Sequence, residues 1–110
     1  MVYQFNIQGS AADPYLVEFS CEKTNFKATC TCPAGNKKML CKHITTILEG
    51  EIPKDLVSGD VNVISDILNA FNESETKTIY DLFLSTTNEV ELLKKEAANR
   101  KKQVARMLYQ

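Results

Sequence analysis

Two stretches decide how this chain is to be read: Phe26-Lys27-Ala28-Thr29-Cys30-Thr31-Cys32-Pro33 and Leu40-Cys41-Lys42-His43-Ile44. In the first, Phe26, Ala28 and Cys30 alternate with Lys27, Thr29 and Thr31, the period of a strand. Successive strand side chains point to opposite faces, so Cys30 and Cys32 project to the same side near the strand end. In the second stretch, Cys41 and His43 cannot share one face of a regular helix, because two residues turn it by about 200°. The chain must change conformation between them. Placing Cys41 just before a helix and His43 in its first turn lets both converge on the thiol pair. Three thiolates and one imidazole suit Zn²⁺ in a closed tetrahedron, with Zn–S ~2.3 Å and Zn–N ~2.0–2.1 Å. The helix N-terminus, Lys38 and Lys42 would favour ionised thiols.

Outward from these stretches the pattern continues. Upstream, Tyr3, Phe5 and Ile7 alternate with polar residues, and Tyr15, Val17 and Phe19 do so again. Gly9-Ser10, Asp13-Pro14 and the polar Glu22-Lys23-Thr24-Asn25 mark turns. Short connections favour an antiparallel meander. Cys21 lies on the series of Val17 and Phe19 and reads as a small core residue. Pro33 ends the third strand, and Ala34 to Lys38 reads as a loop. Lys42 to Glu49 reads as two helical turns, with Gly50 as the residue that stops them.

After Pro53 the pattern becomes helical. Asp60 or Ser58 can cap a helix carrying Ile64, Ile67, Leu68 and Phe71. Ser74 can cap a second, carrying Ile79, Leu82 and Phe83. Asn88 with Glu91 resembles a capping box for a third, running to about Leu108. The expected fold class is α+β. Residues 1–50 form a small antiparallel sheet and short helix around a structural zinc, a ββα-type finger. Residues 51–110 form a helical extension of about three helices.

Composition narrows the function. The chain has 110 residues, of which 44% are hydrophobic and 25% charged, as in a globular protein. Its net charge of −1 argues against a globally basic nucleic-acid binder. Charge is nonetheless segregated. Residues 61–93 hold one basic and six acidic residues, and residues 94–110 hold six basic and one acidic. On the last helix Val90, Leu93, Ala97, Val104 and Leu108 share one stripe. Lys95, Lys102 and Arg106 form a neighbouring stripe, with Lys94 and Lys101 on the other flank. Lys37, Lys38 and Lys42 beside the cysteines and Lys95, Lys102 and Arg106 on the helix are the candidate phosphate contacts. No aromatic residue interleaves with the helical cations, which counts against single-strand stacking. Met1 to Phe5 shows no basic region followed by an apolar block, and no apolar run approaches ~18 residues. An intracellular, cytoplasmic and reducing setting is therefore expected, in which cysteines bind metal rather than pair.

Cys30-Thr31-Cys32-Pro33 with Cys41-Lys42-His43-Ile44 resembles the SWIM zinc-finger family, whose pattern is C-x-C, a variable gap, then C-x-H. An aromatic-rich strand before the first pair, Pro after it and an apolar helix after the His also match. The resemblance covers about residues 1–50 and implies a binding module. Its members are mostly parts of larger intracellular proteins, with roles in DNA binding and protein–protein contact. The expectation is an adaptor or accessory subunit contacting a protein partner in a DNA-related complex. The alternative is a direct, weakly sequence-specific nucleic-acid binder. No enzyme is expected, because all four candidate ligands come from protein and none is left for water. Buried structural cysteines, an iron–sulfur cluster and a site with Cys21 in place of His43 are the competing readings. A Cys41–His43 nucleophile pair would leave Cys30 and Cys32 unexplained.

Overall fold

The computed structural model describes residues 1–22 and 25–110. Lys23 and Thr24, the middle of the expected polar turn, lie outside the described residues. The fold is α+β. Strands β1 (Val2–Ile7), β2 (Tyr15–Glu22) and β3 (Asn25–Cys30) form the expected antiparallel meander. A fourth strand, β4 (Leu56–Ser58), pairs with β1, giving the order β3-β2-β1-β4.

The register follows the side-chain pattern. Phe5 faces Val17, Tyr3 faces Phe19, and Phe19 faces Ala28. One face of the sheet is therefore apolar throughout. The opposite face carries polar pairs, such as Gln4 donating to the Glu18 carboxylate at 3.0 Å. On the apolar face lie α2 (Lys42–Leu48) and α3 (Ile64–Asn72), which contribute Ile44, Ile47, Ile64, Ile67 and Phe71 to the core. Phe5, Val17, Phe19, Ile47, Ile67 and Phe71 are fully buried. Rings chain the core together: Phe5 meets Phe19 edge-on at 6.2 Å, Phe19 meets Phe26 at 6.0 Å, and Phe26 meets Phe71 at 5.3 Å. Cys21 is half-buried against this core.

Gly50 ends α2 as its position implied. Its φ of +81° suits a residue without Cβ. Gly50 N–H donates to the Ile47 carbonyl at 2.9 Å, and Glu51 N–H to the Thr46 carbonyl at 3.0 Å. These two bonds are the Schellman closure of a helix end.

The structure departs from the sequence pattern in three places. Residues expected as a loop after Pro33 begin with a one-turn helix, α1 (Pro33–Asn36), because Pro33 at its first position is preset for helix. Beyond residue 51 the chain supplies β4 as well as helices. This strand is three residues long, too short to display alternation. It is held by Asn6 Nδ2 donating to Ser58 Oγ at 2.8 Å and by Gln8 N–H donating to the Asp55 carbonyl at 2.9 Å. Finally, the two helices expected after Ser74 are one, α4 (Glu75–Leu108). The break expected at Asn88 is absent. No Gly or Pro follows Gly59 in the chain, and the hydroxyls of Thr86 and Thr87 donate back to the Leu82 and Phe83 carbonyls at 2.9 Å.

Asp60, one of the two expected caps, accepts from Asn62 N–H at 2.9 Å and opens a 3-10 turn, Val61–Val63, leading into α3. The chain divides into two compact units, Met1–Lys77 and Thr78–Gln110. Among the described residues no helix is long and apolar enough to cross a membrane.

Phe19 is at the centre of the ring chain and has no exposed surface. Phe19→Ala is expected to cost about 3–5 kcal/mol of stability in urea unfolding.

Candidate metal centre

Three elements of the chain deliver the four side chains. Cys30 ends β3. Cys32 is the N-cap of α1. Cys41 is the extended residue capping α2, with φ −115° and ψ 159°. His43 lies in the first turn of α2. Change of conformation between Cys41 and His43 is thus achieved at the helix start, as the two-residue spacing required. One ligand atom from each residue can be chosen so that all four lie within 4.8 Å of one another. The three thiols are free, not paired as disulfides, and all are buried. His43 is half-buried.

The donor set fits a tetrahedral ion. His43 Nδ1 is 3.7 Å from Cys30 Sγ. Bond lengths of ~2.3 Å to sulfur and ~2.05 Å to nitrogen give a tetrahedral S–N edge of about 3.6 Å.

Several residues that the sequence pattern did not single out build this site. Gly35 N–H donates to Cys32 Sγ at 3.3 Å. The one-turn helix makes this bond, since Asn36 N–H closes it on the Cys32 carbonyl at 2.9 Å. Gly35 is obligatory on steric grounds: a Cβ there would stand 2.0 Å from the Cys30 carbonyl oxygen. Asn36 Nδ2 donates to the Thr31 carbonyl at 3.1 Å, tying α1 to the segment between the first two thiols. Thr31 is itself clamped to β2, its N–H donating to the Leu16 carbonyl and its Oγ1 accepting from Leu16 N–H. Tyr15 packs its ring on His43, centroids 5.5 Å apart and tilted by 48°. The only advance signals were Pro-x-Gly after Cys32 and an aromatic residue opening β2, and neither is specific.

Electrostatics divides the thiols. Burial, together with the neighbouring thiols of Cys32 and Cys41, pushes Cys30 up to about 12. Cys32 is also desolvated. In its case the Gly35 N–H, the thiols of Cys30 and Cys41 and the Ala34 N–H outweigh burial and pull it below the usual thiol range. His43 is lowered by burial and by the Lys42 charge, which favours the neutral imidazole that a metal needs. A bound cation would reverse the penalty on Cys30, because it deprotonates a coordinating thiol outright.

No protein-family model, curated protein or solved structure matches the chain. The site rests on its own geometry.

The six candidate cations are all exposed. Lys37, Lys38 and Lys42 belong to the first unit, beside the metal ligands, and Lys95, Lys102 and Arg106 to the second. Lys38 takes a left-handed conformation, φ 57°, where the chain turns from α1 toward Cys41. Met39 and Leu40, which follow it, are large apolar residues left exposed, at 61% and 52%.

Gly35→Ala is expected to weaken metal affinity about 10–100-fold in competition with a chromophoric chelator, because Cys30 and α1 must separate. Cys32→Ser should lose the metal, whereas Cys21→Ser should keep it.

With the metal stripped by a chelator, His43 sets a pH dependence. Its folded value lies below the ordinary ~6.5, so the unfolded chain binds the proton more readily. Its contribution is fully present above about pH 6.5 and is lost as pH falls through the lowered value. The metal-free chain should accordingly melt at a lower temperature at pH ~5 than at pH ~7.5, and His43→Gln should reduce that difference.

Proposed function

We propose that the chain is a zinc-binding interaction module, an adaptor or accessory subunit that contacts a protein partner in a DNA-related complex. The observation that carries this reading is the convergence of Cys30, Cys32, Cys41 and His43 within 4.8 Å. Three thiols and an imidazole in one buried cluster favour zinc over the hard cations, which take oxygen ligands. Four protein donors fill a tetrahedron, so the metal is structural and the site non-catalytic. The resemblance to SWIM fingers over residues 1–50 supports the same assignment and an intracellular, cytoplasmic setting.

The partner-facing surface is the loop between the cysteine pairs. Its exposed Met39 and Leu40 are flanked by Lys37, Lys38 and Lys42. Leu40 also lines a groove of about 440 Å³, together with Tyr15, Pro33, Ala34 and the ligands Cys32, Cys41 and His43. Apolar side chains beside cations suit an acidic-apolar protein segment better than bare phosphates. That is why protein contact is preferred to direct nucleic-acid binding by Lys37, Lys38, Lys42, Lys95, Lys102 and Arg106.

Elemental analysis of chain purified without a histidine tag tests the metal, with one zinc per chain expected. Iron in its place, or folded chain that carries no metal as purified before any chelator treatment, would refute the assignment. Partner capture from the native host tests the surface. Leu40→Asp should lose the partner while retaining zinc, and the triple change Lys95→Glu, Lys102→Glu, Arg106→Glu should keep it. The reverse result, joined by DNA binding with a log K against log salt slope of about −3.6 for four phosphate contacts, would establish the nucleic-acid reading instead.

A further inference from the structure

From Thr78 onward the second unit is a single helix, and in proteins most helical stability comes from packing an amphipathic face rather than from propensity. Yet Ile79, Phe83, Val90, Leu93, Val104 and Met107 are all exposed. Their spacing alternates four and three residues when Thr86, Ala97 and Arg100 are included. With Phe83, Val90, Ala97 and Val104 at position a, the d positions are Ile79, Thr86, Leu93, Arg100 and Met107. This is a heptad seam, apolar except at Thr86 and Arg100.

Charge identifies what covers the seam. In this frame Glu89 and Glu96 take position g, and Lys94 and Lys101 take position e. In a parallel pair, g on one helix meets e five residues further along the other. Glu89 then faces Lys94 of a second copy, and Glu96 faces Lys101, in both directions. An antiparallel pair would set g against g and e against e, bringing glutamate to glutamate and lysine to lysine. We propose that Thr78–Gln110 pairs with a second copy of itself as a parallel, two-stranded coiled coil.

The helix is prepared for this. Lys94 meets Glu91 at 3.5 Å and Arg100 meets Glu96 at 2.7 Å within one chain, but both pairs are exposed, and such pairs hold side chains only weakly. The Arg100–Glu96 pair also gives the charged seam position a partner. Thr86 and Arg100 act as the polar seam positions that fix register at a cost in stability. Lys95 and Lys102 fall at the outermost position f, and Arg106 at c, on the face opposite the seam rather than on the neighbouring stripe expected from the sequence, so pairing leaves them in solvent. Each assembly then carries two copies of the metal module, and its contact with a repeated partner becomes bivalent. The proposal is independent of which metal occupies the first unit.

Sedimentation equilibrium of the full chain tests it. The wild type should dimerise. Leu93→Glu should be monomeric at about 100 µM. Glu89→Lys with Glu96→Lys, and separately Lys94→Glu with Lys101→Glu, should each raise the dissociation constant at least about tenfold, and mixing the two variants should restore a heterodimer. That rescue excludes misfolding as the cause, and zinc content of the same samples reports on the metal reading separately. A wild type that stays monomeric at about 100 µM would overturn the pairing. Charge-reversed variants that dimerise as tightly as wild type, or that fail to pair when mixed, would overturn the parallel register.

Discussion

Cys30, Cys32, Cys41 and His43 come from the end of a strand, the caps of two helices and the first turn of the second, and their convergence is the constraint on which the first unit depends. Each ligand sits where the backbone changes direction, so the cluster holds a corner of the fold that no ladder of hydrogen bonds spans. Along the chain, β3 and α2 are joined by a short helix and an exposed loop. Cys30 and His43 are thirteen positions apart along the chain. An ion bound there would close that loop and supply folding free energy that a core of this size provides sparingly.

The surrounding structure prepares charge as well as position. Gly35 and Ala34 N–H groups stabilise negative charge on Cys32, while burial opposes it on Cys30. Burial and the Lys42 charge favour the neutral form of His43. One thiol thus ionises readily, another resists, and the imidazole offers a lone pair. A divalent soft cation satisfies all of these at once, whereas the metal-free cluster leaves thiols packed against one another with little to hold them. Gly35 is where covalent geometry and electrostatics meet: only a residue without Cβ brings its N–H to Cys32 while passing the Cys30 carbonyl.

The second unit follows a different logic. Its helix makes no sheet and holds no ligand. Its information lies in spacing alone, with an apolar seam every three and four residues and opposite charges on its two shoulders. Such a surface is the one we propose to pair with a second copy. Joined to a module that displays Met39 and Leu40 beside three lysines, it would on the proposed reading make the protein a connector in both halves, one built around a metal and one around a helix face.

By itself the sequence determined the antiparallel meander, the short helix after Cys41 and which four side chains, Cys30, Cys32, Cys41 and His43, come together, because strand alternation, the C-x-C and C-x-H spacings and the stop at Gly50 are local signals. The helix from Ile64 was equally legible from Ile64, Ile67, Leu68 and Phe71. Tertiary structure decided the rest. β4 exists because Asn6 on β1 and Gln8 just beyond its end offered an edge to three residues that have no periodicity of their own. The helix through Asn88 continues because capping residues on an exposed face end a helix only where the chain also has reason to turn, and no Gly or Pro provides one. The partners of the ligands, Tyr15 on His43 and Gly35 against Cys30, lie outside any spacing rule. They are neighbours in space through the packing of β2, α1 and α2, which a one-dimensional pattern does not encode.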